Sequence, residues 1–454
     1  MYDLIIRDGS VVLEDEIVKA DIGIKKGKIV EIAQGVSIPA KKYVNAKGKH
    51  VLPGMIDIHV HFDEPSRDHW EGFDYGSASM AAGGCTTYFD MPLNGVPPTV
   101  TEAALWEKKK LADRKSVVDY GLWGGLVPGN KEELAKMAHS GVIGFKAFMS
   151  EAGSEFDFSD DLTLYEGMKE IAKLNKVLAL HAERNDLIQK LEQAKQKQKQ
   201  TAIKDYLETR PVVAEVNAVK QALEYGEETG CPLHFVHISS YEAVQLITEA
   251  KKNGRNVTLE TCPHYLLFTE EDFEEIGVTA KCAPPLRGRS QKEKLWACIQ
   301  SEEIDMISSD HSPCPIELKT AHQNDLFKVW GGISGGQYSL QAMISEGAIT
   351  RGISLSHISK LVSTNPAKRF GLYPKKGSIL LGSDADLVIV DLDQTEKVTK
   401  EGMVFKHKHS IYEGTVFNSV ILTTINRGTI VYNKEEGVFP LHKGQMVNGE
   451  YVKL

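Results

Sequence analysis

Two histidines one residue apart, in Asp57-Ile58-His59-Val60-His61-Phe62, are the first residues in this chain arranged to do chemistry. Side chains of an extended segment alternate with a period of two, so His59 and His61 share a face while Ile58, Val60 and Phe62 take the other. Two imidazoles side by side suit a divalent metal of borderline softness. Histidines also close two further apolar runs, Val177-Leu-Ala-Leu-His181 and His234-Phe-Val-His237. His234, three residues before His237, faces the opposite way in a regular strand and reads as structural. The run Met306-Ile-Ser-Ser-Asp310 ends in an aspartate, which can ligate a metal and take a proton from metal-bound water as general base. Its neighbour His311 points away by the same parity.

One lysine stands among these candidates. Lys146 lies inside Val142-Ile-Gly-Phe-Lys146-Ala-Phe-Met149. A buried ammonium without a partner is costly, so such a lysine is paired, neutralised or chemically altered. An amine that has taken up carbon dioxide presents a carboxylate able to bridge two cations.

The elements that must position these residues are eight strand candidates, at 51–62, 85–92, 116–126, 142–149, 176–183, 232–239, 256–266 and 302–311. They alternate with helix-like stretches such as Asn185 to Lys199 and Ala214 to Glu228. That alternation predicts a parallel sheet closed as a (β/α)8 TIM-like barrel, with its chemistry at the C-terminal strand ends. Short β-like runs with Gly-containing turns occupy residues 1–50 and return around Leu387 and Val420. They predict a small β-sandwich domain built from both chain ends, with boundaries at 1–50, 51–372 and 373–454.

Fifty-three Lys and Arg against 62 Asp and Glu leave a net charge of −9, with 42% hydrophobic residues over 454 positions. This is globular composition, and its acidity argues against nucleic acid or an anionic membrane surface as partner. The six cysteines form no close Cys-x-x-Cys pair, which favours a reducing cytoplasm. Asp3 and Arg7 interrupt any secretory core, and no apolar run of ~18 residues occurs. A soluble cytoplasmic protein acting on a small molecule is expected.

Taken in order on strands one, four, five, six and eight, Asp57-x-His59-x-His61, Lys146, His181, His237 and Asp310 resemble the metal centre of the amidohydrolase superfamily, in its cyclic-amidase branch. The resemblance covers essentially the whole chain. It implies two divalent metal ions per subunit, most often Zn2+, with Mn2+, Co2+ or Fe2+ as alternatives. His59, His61 and Asp310 resemble ligands of the deeper metal, and His181 and His237 those of the more exposed one. Lys146, as N6-carboxylysine formed with CO2, would bridge them. A metal-bridging hydroxide would open a cyclic amide while Asp310 relays the proton. Homo-oligomers, tetramers in particular, are common among similar enzymes.

Neighbouring residues separate the siblings of that branch. Dihydroorotases usually follow the histidine pair with a carboxylate-binding arginine; here His61-Phe62-Asp63 stands instead, and an anionic Asp63 at the mouth would repel such a substrate. Hydantoinases and dihydropyrimidinases, the alternative reading, usually place a tyrosine five residues after the lysine, where this chain has Glu151. Several stretches resemble the allantoinases: His69-Trp-Glu-Gly72, Asp90-Met-Pro-Leu-Asn94, Glu260-Thr-Cys-Pro-His-Tyr265, Ser309-Asp-His-Ser-Pro-Cys-Pro315, Trp330-Gly-Gly-Ile-Ser-Gly335 and Lys406-His-Lys. The activity implied is ring opening of (S)-allantoin to allantoate in purine catabolism. Asn94, Ser312 and the backbone at Ala283 and Gly332 are candidate contacts for its ureide groups; each residue type is equally at home in an ordinary loop. A non-catalytic scaffold relative would have lost ligands that this chain keeps, and a mononuclear deaminase would not need Lys146.

Overall fold

The computed structural model describes residues 1–153 and 155–449. Its centre is a sheet of eight parallel strands: Met55–Val60, Cys85–Asp90, Asp119–Gly125, Gly144–Phe148, Leu178–His181, Leu233–Phe235, Val257–Thr261 and Met306–Ile307. Each pairs with the next in sequence. A bridge between Val60 and His311, with the His61 N–H donating to the His311 carbonyl at 2.7 Å, carries the first strand onto the end of the eighth. These are the eight predicted strands in shorter form, except that the start of the first, Val51 to Pro53, belongs to a separate strand of a second sheet. The residues of the barrel strands are buried on both faces, which is why strands such as Leu178–His181 show no regular apolar–polar alternation.

Helices follow the strands and cover the sheet. Asn185–Lys197 and Val212–Thr229 fall where the helix-like stretches were read. Helix starts carry capping residues: the Asp160 carboxylate accepts from the Thr163 N–H, and Thr269 and Asp272 form a capping box. One apolar cluster, including Met80, Leu122, Leu180 and Ile247, packs helices against strands. A second, with Ile56, Ile58, Phe89, Trp123 and Phe370, fills the barrel.

Strict alternation fails in the first strand. Its pairing with the second slips between Asp57 and Val60, a local irregularity of the kind that re-aims side chains. Ile58 therefore joins the barrel-filling cluster while Val60 and Phe62 pack with the helices, so the three do not share a face as expected.

Both chain ends build a nine-stranded sheet. Its strand Tyr2–Val12 forks, pairing with Ala40–Asn45 through its first half and with His50–Pro53 through its second. His50–Pro53 pairs in turn with Leu387–Asp391, and that strand with Val420–Asn426. Ile17–Lys25 and Lys28–Ala33 form a hairpin whose two turn residues, Lys26 and Gly27, have φ of 52° and 75°, as such turns require. A buried ion cluster ties this sheet to the barrel. Lys376 Nζ lies 2.6 Å from Asp119 at the start of the third barrel strand, 2.6 Å from Asp386 and 3.3 Å from Asp384, while Arg427 Nε reaches Asp119 at 3.1 Å.

Candidate metal centre and active site

The C-terminal strand ends converge on one cavity of about 370 Å3, lined by His59, His61, His181, His237 and Asp310 among others. His59 Nε2 and His61 Nε2 lie 3.2 and 3.3 Å from the same Asp310 oxygen. His181 Nδ1 and His237 Nε2 are 3.0 Å apart. His59, His237 and Asp310 offer ligand atoms all within 4.8 Å of one another. Residues as far apart in sequence as His59 and Asp310 share one site because all the parallel strands end at the same mouth of the barrel and its closure brings the first strand beside the eighth.

Three of the residues at this rim hold unusual backbone. Asp310, His237 and Asn94 have φ of 46°, 39° and 72°. Non-glycine residues adopt this left-handed region at a cost, and such strain clusters at functional sites.

The electrostatics favour the ligand form of His59, His181, His237 and Asp310. Burial pushes His59, His181 and His237 below the ordinary imidazole range, leaving neutral rings with lone pairs to give. Burial alone would raise Asp310, but His59 and His61 outweigh it and hold the carboxyl well below its usual range. Lys146 is fully buried, and its Nζ has no hydrogen-bond partner among the described residues. Burial brings its pKa down to about 8, against the attraction of Asp310 and Glu260. A buried amine with its pKa lowered this way loses its proton more readily than a free lysine, which fits conversion to a carbamate; an ammonium there would oppose a cation.

Carboxylates behind the rings were not singled out in the sequence. Glu260, on the seventh strand, accepts from His59 Nδ1 at 2.6 Å and from His234 Nε2 at 3.1 Å, and Ser308 also bonds it. Those imidazoles hold it well below the usual carboxylate range despite burial. Glu183 lies 2.8 Å from His181 Nε2 and 2.5 Å from Arg210, which outweigh burial and set its pKa at about 2. Carboxylate partners of this kind fix ring orientation and raise ligand basicity. Glu183 was detectable, two residues beyond His181 on the same parity. Glu260 was not, since nothing in sequence couples it to His59. His234 is fully buried between Thr258 and Glu260, as a structural histidine should be. His311 turns away towards Glu71, 3.6 Å from its Nε2.

Asn94, Ala283, Ser312 and Gly332 all line the cavity. Gly332 admits no side chain, because a Cβ there would sit 2.6 Å from the Ser312 carbonyl oxygen. Asp63 corrects the expectation. It is buried rather than displayed at the mouth, and burial with nearby Asp90 and Glu71 raises its pKa well above the carboxylate range. It does not present the negative charge invoked against a carboxylate substrate. The Lys406-His-Lys segment straps the loop after the first strand, its Lys406 N–H donating to Glu71 at 3.0 Å and His407 meeting the His69 carbonyl at 2.9 Å.

Barrel, sheet and clustered ligands define a class, and residues 50–431 match the amidohydrolase family: the chain belongs to that family and is a hydrolase. Within it, the chain is 49% identical to an allantoinase of Bacillus velezensis over 96% of each chain. It is 46% identical to an allantoinase of Solibacter usitatus, over 96% of this chain and 95% of that one. An L-hydantoinase (dihydropyrimidinase) from Arthrobacter aurescens superposes with a TM-score of 0.96 at 37% identity, covering 99% of this chain and all of that one. A dihydropyrimidinase from Brevibacillus agri gives 0.92 at 28% identity, over 99% of each. No helix among the described residues is long and apolar enough to cross a membrane.

Proposed function

We propose that this chain hydrolyses allantoin to allantoate. The observation that carries the reading is the near-full-length identity of 40–49% to allantoinases, joined to a cavity in which five ligand candidates meet beside a buried lysine with no hydrogen-bond partner among the described residues. His59, His61 and Asp310 would hold one divalent ion, zinc first, and His181 and His237 a second. Lys146, carbamylated, would lie between them. When bound, such ions polarise an amide carbonyl and lower the pKa of water.

The chain's own groups do the rest. Asp310, held as a carboxylate, accepts the proton of the attacking water and returns it to the ring nitrogen as the C–N bond breaks. Glu260 and Glu183 hold His59 and His181 in their tautomers. Asn94, Ser312 and the backbone at Ala283 and Gly332 would bond the ring ureide, which is neutral and rich in donors and acceptors.

Hydantoin opening is the second reading, supported by the hydantoinase neighbours. Glu151 on the cavity wall, where hydantoinases usually have tyrosine, weighs against it. Incubation of metal-replete protein with allantoin, hydantoin, dihydrouracil and dihydroorotate decides. Allantoin should turn over fastest, and hydantoin opening without allantoin turnover would overturn the reading. Six free, buried cysteines suit the reducing cytoplasm that this reading assumes. A tetramer is proposed by likeness to similar enzymes alone, and size-exclusion with light scattering tests it.

A further inference from the structure

The cavity wall carries charge that none of the roles above uses. Glu192, on the helix Asn185–Lys197, lines it together with Arg210, Lys281, Tyr206 and Trp330. Glu192 is separated from the metal-ligand candidates by a relay of two side chains. Arg210 Nη2 stands 3.6 Å from Glu192 Oε1, while Arg210 Nη1 reaches Glu183 at 2.5 Å, and Glu183 in turn reaches His181 at 2.8 Å. The spacing to Arg210 is an ion pair without a hydrogen bond. Among the described residues no donor comes within hydrogen-bond distance of the Glu192 carboxylate, so its lone pairs are open to whatever fills the cavity. Glu151, the other wall carboxylate, differs, since its Oε1 already accepts from Gln189 Nε2 at 2.5 Å.

A half-buried carboxylate facing a binding cavity, partly balanced by a cation and lacking donors, is complementary to a neutral group with adjacent N–H bonds. Allantoin carries one outside its ring, the exocyclic ureido arm, with three N–H bonds and a carbonyl. Hydantoin and dihydrouracil have no such arm. We propose that Glu192 is a specificity-determining residue that binds the exocyclic ureido arm of the substrate, its two oxygens accepting a pair of ureido N–H groups. An alkyl group placed there would leave the carboxylate desolvated and unpaired, so the same residue disfavours apolar ring substituents. The inference rests on the allantoin reading and adds what tells allantoin from its unsubstituted analogues.

The arm does not take part in bond breaking, so its loss should weaken substrate and transition-state binding alike. Steady-state kinetics of the metal-loaded wild type, Glu192→Gln and Glu192→Ala, with allantoin as substrate and hydantoin as substrate or competitive inhibitor, test this. Expected is a rise of ~10–100-fold in the KM for allantoin in Glu192→Ala, the worth of a hydrogen-bonded pair to a charged group. Glu192→Gln should show a smaller rise, and kcat should stay within about twofold. The KM or Ki for hydantoin should not move in either variant. An unchanged allantoin-to-hydantoin ratio, or equal losses for both compounds, overturns the role of Glu192 while leaving the allantoin reading intact. Absence of allantoin turnover by the wild type overturns that reading, and the Glu192 role with it.

Discussion

Replacing Lys146 by methionine should produce a protein that is more stable without metal and inactive with it. The side chain is fully buried, its amine has no hydrogen-bond partner among the described residues and only the Phe148 ring 5.0 Å away, and burial takes its pKa from 10.5 to about 8. The unfolded chain binds the proton up to about pH 10.5, the folded one only up to about 8. Below pH 8 the folded state therefore carries the full cost of the buried charge, roughly 3 kcal/mol at ~1.4 kcal/mol per pH unit. Between pH 8 and 10.5 the unfolded state binds more protons, so stability rises with pH and the cost fades. Methionine has a similar volume and no charge to desolvate. Chelator-treated Lys146→Met should thus exceed chelator-treated wild type by about 3 kcal/mol in denaturant titrations at pH 7, and the gap should narrow towards zero by pH 10.5. With metal and bicarbonate the order should reverse, because only the wild type gains a bridging carboxylate and the binding energy that comes with it. A metal-free variant less stable than wild type at pH 7, or a gap independent of pH, would refute the picture of a strained, unpaired amine. A metal-loaded variant retaining wild-type activity would refute the bridging role.

Other outcomes follow from the same geometry. Chelation should abolish activity, and a divalent metal with bicarbonate should restore it; full activity at metal contents far below one equivalent per chain would contradict a metal centre. Asp310→Asn should lower kcat by at least ~100-fold as the proton acceptor is lost, read beside metal content by elemental analysis. Glu260→Gln should weaken metal binding by ~10–100-fold in chelator competition through the freed His59 ring, and an unaltered affinity would show that the 2.6 Å contact does not orient it. Lys376→Ala should cost about 3–5 kcal/mol by leaving Asp386 buried without a cation and Asp119 and Asp384 with only Arg427 and Lys28, with a denaturant midpoint near wild type as the contrary result.

The barrel was legible because buried parallel strands leave short segments rich in apolar and β-branched residues between helix-like stretches, even where Thr, Glu or Asp interrupts them as in Cys85–Asp90 and Val257–Thr261. The candidate ligands stood out because His59, His61, His181, His237 and Asp310 lie where such segments end and Lys146 is a lone charge inside one. What escaped was set by contacts between distant segments. Glu260 serves a histidine 201 residues away, and no local pattern encodes that. Asp63 read as a charge at the mouth because its neighbours in sequence say nothing of Asp90 and Glu71 packed round it in space. The slip in the first strand, which sends Ile58 inward beside His59, breaks the period-two rule at the residues where that rule was being applied. Tertiary pairing decides the facing of a strand residue once a register shifts.

The forked sheet sets an order of assembly during synthesis. His50–Pro53 finds its outer partner only in Leu387–Asp391, after the whole barrel has been made. At ~5–20 residues per second, the first strands wait roughly 15–70 s with an open edge bearing Val51 and Leu52. The last strands thus close the molecule. Chains arrested on the ribosome before Leu387 should be cut by protease within residues 1–53, and chains released at full length should resist.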